Sequence, residues 1–259
     1  MIGNQRIIAV VQARMGSTRL PGKVLKPLAK RPVLWHVLER LRTLDFLDEI
    51  VVATSSKKEN DQLEAFLRWL EPEKTRWLRG DEEDVLSRFA QAIEDAKVRG
   101  ERPDLVVRVT ADTPLLSTQH LEAMVEHLVA SGCDGVDGHY EKTGLTLGFG
   151  TEVYRTEALL DAHREAERRE EREHVSLFIK DHPERYHTAY LRPQEELISS
   201  HRLTLDRWED YWQLENIYSH FYRAGKPVEC SQALAWLRER GCSCCGAQEQ
   251  RPLLTPRRQ

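Results

Sequence analysis

A ten-residue segment near the N-terminus has the composition of a phosphate-binding loop. Positions 14–23 read Arg-Met-Gly-Ser-Thr-Arg-Leu-Pro-Gly-Lys, and they follow an apolar run at 7–13 that has the pattern of a buried strand. Loops that combine backbone amides with basic side chains at the carboxyl end of such strands are where α/β proteins bind phosphate. Arg14 and Lys23 are candidate phosphate ligands, since a guanidinium and an ammonium both donate to phosphate oxygens. The segment predicts a polyphosphate site, and we expect a nucleotide there.

Smaller groups in the same loop could add donors. The Ser17 hydroxyl and the Gly16 amide can both donate to phosphate oxygens. Arg19 could bind phosphate too, or it could pair with Asp84, and the sequence leaves both open. The loop matches neither a P-loop, because its lysine is followed by valine, nor a dinucleotide-binding fingerprint, because its glycines have the wrong spacing.

Two carboxylates follow apolar runs farther along the chain. Asp112 comes just after the run at 104–109, and Asp206 ends the sequence Leu-Thr-Leu-Asp. At the carboxyl edge of a sheet, both would lie close to the first loop and could bind the Mg²⁺ that accompanies a polyphosphate. Each also has a structural alternative, because Asp112 could cap the following turn and Asp206 could cap the following helix. A basic loop with two such carboxylates predicts metal-assisted phosphoryl or nucleotidyl transfer.

The charge distribution indicates a local anion site. The 259-residue chain has a formal net charge of -4, yet residues 1–38 contain seven Lys or Arg and no Asp or Glu. The remainder holds 31 basic and 42 acidic residues, so we expect no nucleic-acid partner. Glycine, serine and proline interleaved with the basic residues favour anion binding over a merely solvated basic face.

Apolar runs and helical periodicity alternate along the chain, which predicts an α/β fold with a doubly wound, mostly parallel sheet. Glycine-rich sequence after 131 predicts loops and an inserted antiparallel hairpin region. We expect one catalytic domain over 1–240, with 131–190 as its acceptor and dimerisation subregion, and a disordered tail over 241–259. The predicted strands are 7–13, 49–53, 77–78, 104–109 and 203–206, and the predicted helices are 33–44, 60–70, 83–98, 118–130 and 208–222. Asn60 is a candidate cap for the second of these helices.

The remaining composition indicates an intracellular protein. No apolar run approaches the roughly 18 residues that a membrane span needs, and the first residues lack the layout of a signal peptide. We therefore predict a cytoplasmic protein that does not enter the membrane. The five cysteines, three of them packed at 242–245, are expected to be free thiols.

Five segments together carry a resemblance to a known family, and they lie at 12–25, 79–88, 108–115, 171–175 and 203–206. Taken in order, they resemble the cytidylyltransferase family, which includes the CMP-sialic acid and CMP-KDO synthetases. The similarity is greatest to the branch labelled spore coat polysaccharide biosynthesis protein F. It implies a Rossmann-like nucleotidyltransferase fold, CTP and Mg²⁺ as cosubstrate and cofactor, and a homodimer formed through the hairpin region.

The resemblance also implies roles for individual residues. Arg14, Ser17 and Lys23 would bind the triphosphate, and Asp112 and Asp206 would hold Mg²⁺. An acceptor hydroxyl would then attack the α-phosphate of CTP, with Lys23 and Arg14 stabilising the developing charge and no protein nucleophile taking part. The segment around three further residues would frame the cytosine: Thr54, Gly80 and Arg88.

The acceptor half departs from the branch pattern. Where the branch has Asp-Gly-Leu-Asp before Val-Glu-Val-Phe, this chain reads Leu-Gly-Phe-Gly-Thr-Glu-Val-Tyr at 147–154. Glu152 remains, and Arg172 and His174 would suit an acidic acceptor such as a sugar acid. His174 could instead pack under the hairpin, and the sequence leaves both open. We therefore predict a CMP-activated sugar acid for a surface glycan. Transfer to a sugar phosphate or phosphonate, and a non-catalytic nucleotide-binding role in glycan assembly, remain as alternatives.

Overall fold

A seven-stranded sheet forms the centre of the molecule. The computed structural model describes residues 2, 5–70, 75–100 and 102–240. The strand order is β5-β4-β1-β6-β8-β7-β9, and a separate small hairpin pairs β2 with β3. The strands are β1 (Ile7–Gln12), β2 (Pro27–Leu28), β3 (Arg31–Pro32), β4 (Glu49–Ser55), β5 (Thr75–Gly80), β6 (Leu105–Thr110), β7 (Gly135–Asp137), β8 (Glu152–Arg155) and β9 (Thr188–Ala189).

Strand direction divides the sheet in two. Strands β5, β4, β1 and β6 are parallel, and they pair in a register that sets Gln12 opposite both Ala53 and Thr110. Their carboxyl ends therefore meet at one edge. Strand β8 is antiparallel to both β6 and β7, which confirms the predicted antiparallel insertion in a mostly parallel sheet.

Helices cover both faces of this sheet. They are α1 (Val33–Arg42), α2 (Asp61–Trp69), α3 (Val85–Val98), α4 (Thr118–Ser131), α5 (Tyr140–Thr143), α6 (Thr156–Glu165), α7 (Arg169–Glu173), α8 (Leu177–Asp181), α9 (Trp208–Phe221) and α10 (Cys230–Glu239). Helices α1, α2 and α4 pack on one face, and α3, α6 and α8 pack on the other. Alternate residues of β1 point to opposite faces, so Ala9 and Val11 join one core while Ile8 and Val10 join the other.

A third apolar cluster holds the segments that carry the candidate site. Leu20 of the first loop is fully buried there, together with Leu203 and Leu205 and residues of α9 and α10. Burial of a leucine side chain contributes about 1.5–3 kcal/mol. The cluster therefore fixes the first loop and the segment before α9 against each other.

Most predicted elements are confirmed with shifted ends, but two predictions are wrong. Residues 203–205 form no strand, because the Leu203 and Leu205 amides donate to the carbonyls of Leu147 and Asp112 in two different loops. Asn60 does not cap α2. Its side chain instead accepts from the Met15 amide and donates to the Ser55 hydroxyl.

The proposed tail at 241–259, with its cysteine cluster, lies outside the described residues. Within the described part of the chain, every helix is too short or too polar to cross a membrane.

Candidate active site

The first loop folds back on itself at the carboxyl edge of the sheet. The Met15 carbonyl accepts from the amides of Ser17 and Gly22, at 3.0 and 3.1 Å. Gly22 has φ +66°, a conformation that favours glycine. The buried Leu20 side chain anchors the loop, and the Asn60 carboxamide oxygen accepts from the Met15 amide at 2.8 Å. This scaffold leaves the basic side chains at the surface of the edge.

Lys23 bridges the two predicted metal ligands. Its Nζ lies 2.5 Å from Asp112 Oδ2 and 2.9 Å from Asp206 Oδ1. Burial acts to lower the pKa of Lys23, but the Asp112 and Asp206 carboxylates outweigh it and raise the pKa. Burial likewise acts to raise the pKa of Asp206, and the neighbouring Lys23 overcomes it and lowers the pKa. Lys23 and Asp206 are therefore both charged at neutral pH.

Backbone contacts outside the sheet bring Asp206 to this point. The Leu205 amide donates to the Asp112 carbonyl at 2.9 Å, which places the next residue beside Asp112. Asp206 does not cap α9, because Asp210 in the first turn of that helix accepts from the amides of Asp206 and Arg207, both at 2.9 Å. The Asp206 side chain is therefore available to Lys23, and Arg202 contacts its other oxygen.

The predicted triphosphate ligands line one cleft of about 280 Å³, which we call the triphosphate cleft. Asp112 lies in the wall of the cleft beside Lys23. Asp206 does not line the cleft itself, but it contacts Lys23, which does. The structure therefore brings together every residue predicted for the phosphates and the metal. The cleft is lined by Gln12, Arg14, Gly16, Ser17, Thr18, Arg19, Lys23, Val24, Thr110, Ala111 and Asp112.

The two arginines of the loop face carboxylates across the cleft. Arg14 lies 3.3 Å from Glu82 and 3.8 Å from Glu173. Arg19 lies 3.4 Å from Asp206, so the alternative pairing with Asp84 does not form. Both arginine side chains are about half exposed, at 42% and 58%, and exposed ion pairs are weak enough to exchange for phosphate.

The residues predicted to frame the cytosine lie beneath the loop rather than in the cleft wall. Thr54 and Arg88 are buried, and Arg88 Nη1 donates to the Ala53 carbonyl, which also accepts from the Ala13 amide. A side chain at Gly80 would come within 2.7 Å of Arg88 Cγ. Burial lowers the pKa of Arg88. Their contact with a base stays a prediction.

Glu152 lines a second cavity, of about 210 Å³, that adjoins the triphosphate cleft at Thr110. Its carboxylate accepts from Arg108 at 2.6 Å and from Lys180 at 3.2 Å. Burial acts to raise the pKa of Glu152, but these two cations bring it down to about 2. Asp137, directly opposite on β7, pairs with Lys180 at 2.7 Å. We call this the acceptor cavity.

The other two residues predicted for the acceptor lie elsewhere. Arg172 forms two hydrogen bonds to Asp84, at 2.5 and 2.9 Å, and a third to the His163 carbonyl at 2.6 Å. Asp84 also caps α3 by accepting from the Ser87 amide. His174 is exposed just after α7. Neither Arg172 nor His174 lines the acceptor cavity.

Sequence reasoning missed several residues of the site. Arg108 could have been found from the sequence, because a charged residue inside the apolar run Leu-Val-Val-Arg-Val is costly unless it is paired. No sequence pattern indicates Asp137 or Lys180, since their pairing joins segments more than forty residues apart. Asn60 and Glu82 support Met15 and Arg14 through tertiary contacts alone.

A mostly parallel sheet with a basic loop at its carboxyl edge is typical of α/β proteins that bind nucleotides. A family model described as cytidylyltransferase matches residues 8–226. The chain is 36% identical over 231 residues to the spore coat polysaccharide biosynthesis protein SpsF of Bacillus subtilis, covering 87% of this chain and 90% of that protein. The chain belongs to the cytidylyltransferase family.

Solved structures agree with this assignment. A cytidylyltransferase from Leptospira borgpetersenii superposes with a TM-score of 0.82 at 25% identity, covering 96% of this chain and all of that one. The fold is also that of CMP:2-keto-3-deoxy-manno-octonic acid synthetase solved with CTP, at a TM-score of 0.60 and 15% identity, covering 83% and 99% of the two chains. The Rossmann-like nucleotidyltransferase fold implied by the resemblance is confirmed.

Proposed function

We propose that this enzyme transfers the cytidylyl group of CTP to a hydroxyl of a small polar acceptor and releases pyrophosphate. The observation that carries the proposal is the convergence of Lys23, Asp112 and Asp206 at the wall of the triphosphate cleft. Family membership supports CTP as the donor. The basic loop supports a bound triphosphate, because its donors face one cleft at the edge of the sheet.

The carboxylate pair fits a magnesium ion. Oxygens of Asp112 and Asp206 already converge on one cation, the Lys23 ammonium, from 2.5 and 2.9 Å. Mg²⁺ prefers oxygen ligands and is commonly held by one or two carboxylates together with substrate phosphates. When bound, Mg²⁺ would supply charge neutralisation for the phosphates. Asp112 and Asp206 are the residues that would hold it.

The remaining chemistry is assigned to the loop. Arg14, Ser17 and the Gly16 amide would hold the triphosphate, and Lys23 would exchange its carboxylate partners for phosphate oxygens. The acceptor oxygen then bonds to the α-phosphorus as the bond from that phosphorus to the pyrophosphate oxygen breaks, and the hydroxyl proton passes to solvent. Arg14 and Lys23 stabilise the charge that grows on pyrophosphate. Thr54, Gly80 and Arg88 remain our candidates for the cytosine end.

The cavity beside Thr110 is the proposed acceptor site, with Glu152 in its wall. Its shared residue with the triphosphate cleft supports transfer between the two ligands. Arg172 and His174 stay predictions as acceptor ligands, as does the acidic acceptor that suggested them. Transfer to a sugar phosphate or phosphonate, and a non-catalytic role, stay as alternatives.

The proposed cellular role is supported by the name of a relative. The name of the Bacillus subtilis relative refers to spore coat polysaccharide, which supports a role in making an activated sugar for a surface glycan. A homodimer formed through 131–190 and a cytoplasmic location belong to the same proposal. Size-exclusion chromatography with light scattering measures the oligomeric state.

Substitution of the two carboxylates tests the chemistry. Asp112→Asn and Asp206→Asn should each lower pyrophosphate release from CTP at least about a hundredfold, since losing one charge-stabilising group at a reacting centre typically costs that much. The matched control is Asp45→Asn, an exposed aspartate that lines neither the triphosphate cleft nor the acceptor cavity. Unchanged release in both cleft variants would refute the metal assignment. Tight CTP binding without release from any acceptor would favour the non-catalytic role.

A further inference from the structure

A closed ring of hydrogen bonds begins and ends in the first loop. The Asn60 carboxamide oxygen accepts from the Met15 amide, and its nitrogen donates to the Ser55 hydroxyl, both at 2.8 Å. The Ser55 hydroxyl in turn donates to Glu82 Oε2, and Glu82 Oε1 accepts from Arg14 Nη1 at 3.3 Å. The two ends of this series are consecutive residues. One network therefore holds both the backbone of the loop and a guanidinium predicted to bind phosphate.

The direction of every bond in the ring is fixed by the groups that form it. A backbone amide can only donate, so Asn60 must turn its oxygen to Met15 and its NH2 group to Ser55. The single hydroxyl hydrogen of Ser55 then goes to Glu82, because a carboxylate can only accept. That leaves the second carboxylate oxygen for the Arg14 guanidinium, which can only donate. The ring therefore sets which oxygen Glu82 presents to Arg14.

Exposure to solvent increases along the ring toward Arg14. Ser55 and Asn60 are fully buried. The Glu82 side chain is 11% exposed, whereas that of Arg14 is 42% exposed. A buried network of side chains whose members are all bonded is rigid, and a half-exposed arginine can adopt many rotamers. In this pair, therefore, Glu82 is the fixed partner and Arg14 is the side chain that is held.

Two carboxylates face Arg14, and they differ in how they are held. Glu173 lies 3.8 Å from Arg14 Nη2, and both side chains are about half exposed. An ion pair of that kind is weak, so phosphate oxygens can replace Glu173. Glu82 lies at the other terminal nitrogen and takes one of the five N–H donors of the guanidinium. Glu82 does not line the triphosphate cleft, so it leaves the cleft open to the nucleotide.

We propose that Glu82 is a positioning residue that holds the Arg14 guanidinium in the orientation in which it meets the triphosphate of CTP. Ser55 and Asn60 act on Arg14 through Glu82. The inference rests on the proposed cytidylyl transfer and adds to it residues that lie outside the triphosphate cleft. Orientation matters here because a guanidinium binds phosphate best through two parallel N–H bonds, which only one arrangement of its fork provides.

Glu82→Gln tests the contact with Arg14. A carboxamide has one acceptor oxygen, so it cannot accept from Ser55 and Arg14 on two different oxygens as the carboxylate does. Calorimetry with Mg²⁺ present should show the Kd for CTP raised about three- to tenfold, the usual cost of fixing one side chain that has many rotamers. The Kd for CMP, which lacks the pyrophosphate part whose charge Arg14 stabilises, should change by less than about twofold.

The matched control is Glu83→Gln, which changes the neighbouring carboxylate. Glu83 is exposed and pairs with Arg169 at 3.4 Å, so this variant should keep the wild-type Kd for CTP. If Glu82 merely competed with phosphate for Arg14, Glu82→Gln would bind CTP more tightly than the wild type does. Tighter or unchanged CTP binding by the folded Glu82→Gln protein would overturn the proposal.

A double-mutant cycle with Arg14→Met separates positioning from a merely structural role. Without a guanidinium to orient, Glu82→Gln should change the Kd for CTP by less than about twofold further, whereas a structural role would give the same loss in both backgrounds. Ser55→Ala removes the hydroxyl that holds Glu82 and serves in the same cycle if Glu82→Gln misfolds. Equal losses in the two backgrounds, or equal losses for CTP and CMP, would overturn the proposal.

The wild-type protein distinguishes failure of this proposal from failure of the proposed function. CTP binding without pyrophosphate release from any acceptor would count against cytidylyl transfer, while the cycle on CTP affinity would still decide the role of Glu82. Failure to bind CTP at all would contradict the proposed donor and the positioning of Arg14 with it. Binding and turnover by the wild type, with no effect of Glu82→Gln, would overturn the positioning alone.

Discussion

Lys23 occupies the point where the two proposed metal ligands converge, and its removal should strengthen metal binding in the absence of nucleotide. Lys23→Met keeps the length and the apolar stem of the side chain and removes the ammonium that contacts Asp112 and Asp206. In the wild-type protein a divalent ion must displace that ammonium. When CTP binds, the triphosphate oxygens offer Lys23 new partners. Nucleotide binding therefore draws the Lys23 ammonium away from Asp112 and Asp206 and leaves both carboxylates free for the metal ion.

The contacts of Lys23 set the size of the effect. Hydrogen bonds that involve charged groups contribute about 1.5–3 kcal/mol each. Loss of even the weaker contact, to Asp206 at 2.9 Å, is worth about tenfold in affinity, because 1.4 kcal/mol corresponds to a factor of ten. Loss of both raises the difference to about a hundredfold or more. We therefore expect Lys23→Met to bind a divalent ion at least tenfold more tightly than the wild type without CTP.

Electron paramagnetic resonance of free Mn²⁺ measures this affinity directly. The control is Lys26→Met, which removes the same charge where Lys26 stacks 4.4 Å from the Trp208 ring. Asp112→Asn in the Lys23→Met background should abolish the gain, and added CTP should narrow the difference between variant and wild type. Equal or weaker Mn²⁺ binding by folded Lys23→Met would refute the reasoning.

Two further predictions concern the stability of the acceptor cavity. Gly148→Ala should lower the free energy of unfolding, measured in urea, by at least about 2 kcal/mol. The reason is that φ at Gly148 is +104° and the new Cβ would lie 2.3 Å from the Leu203 carbonyl carbon. The control is Gly144→Ala, where φ is +79° and the nearest contact lies at 4.0 Å, and it should lower the free energy of unfolding clearly less. The pKa of Glu152 is about 2, below its ordinary 4.5, so its stabilisation is complete above about pH 4.5 and is lost as the pH falls toward 2. The stability difference between wild type and Glu152→Gln should shrink over that range, and a constant difference would contradict the pairing with Arg108 and Lys180.

Local sequence patterns were sufficient to predict most strands and helices of the fold. The apolar runs that became β1, β4 and β6 and the periodic segments that became α1, α3 and α4 lie within a few residues of their predicted bounds. Residues 203–206 were misread, because alternating leucines are also what a loop shows when both leucines enter an apolar cluster. Asn60 was misread because a side chain that suits a helix cap suits any nearby backbone amide.

Local sequence also placed most of the predicted phosphate ligands, whose role stays a prediction. Arg14, Gly16, Ser17 and Lys23 are neighbours in sequence, so a single turn of chain places them in one cleft. Asp112 follows its strand directly. The roles of Arg172 and His174 at the acceptor stay predictions. The pairing of Arg172 with Asp84 could not be predicted from the sequence, because the two residues are 88 positions apart.

The sequence by itself determined a basic loop at the end of a buried strand and the alternating elements that present it, since both depend on residues close together in the chain. Tertiary structure alone decided that Asp206 meets Asp112, through the bond from the Leu205 amide to the Asp112 carbonyl. It also decided that Arg108, Glu152, Lys180 and Asp137 pair with one another in one cluster. Such contacts join distant segments, and only the packing of the whole core sets which distant side chains come within hydrogen-bonding reach.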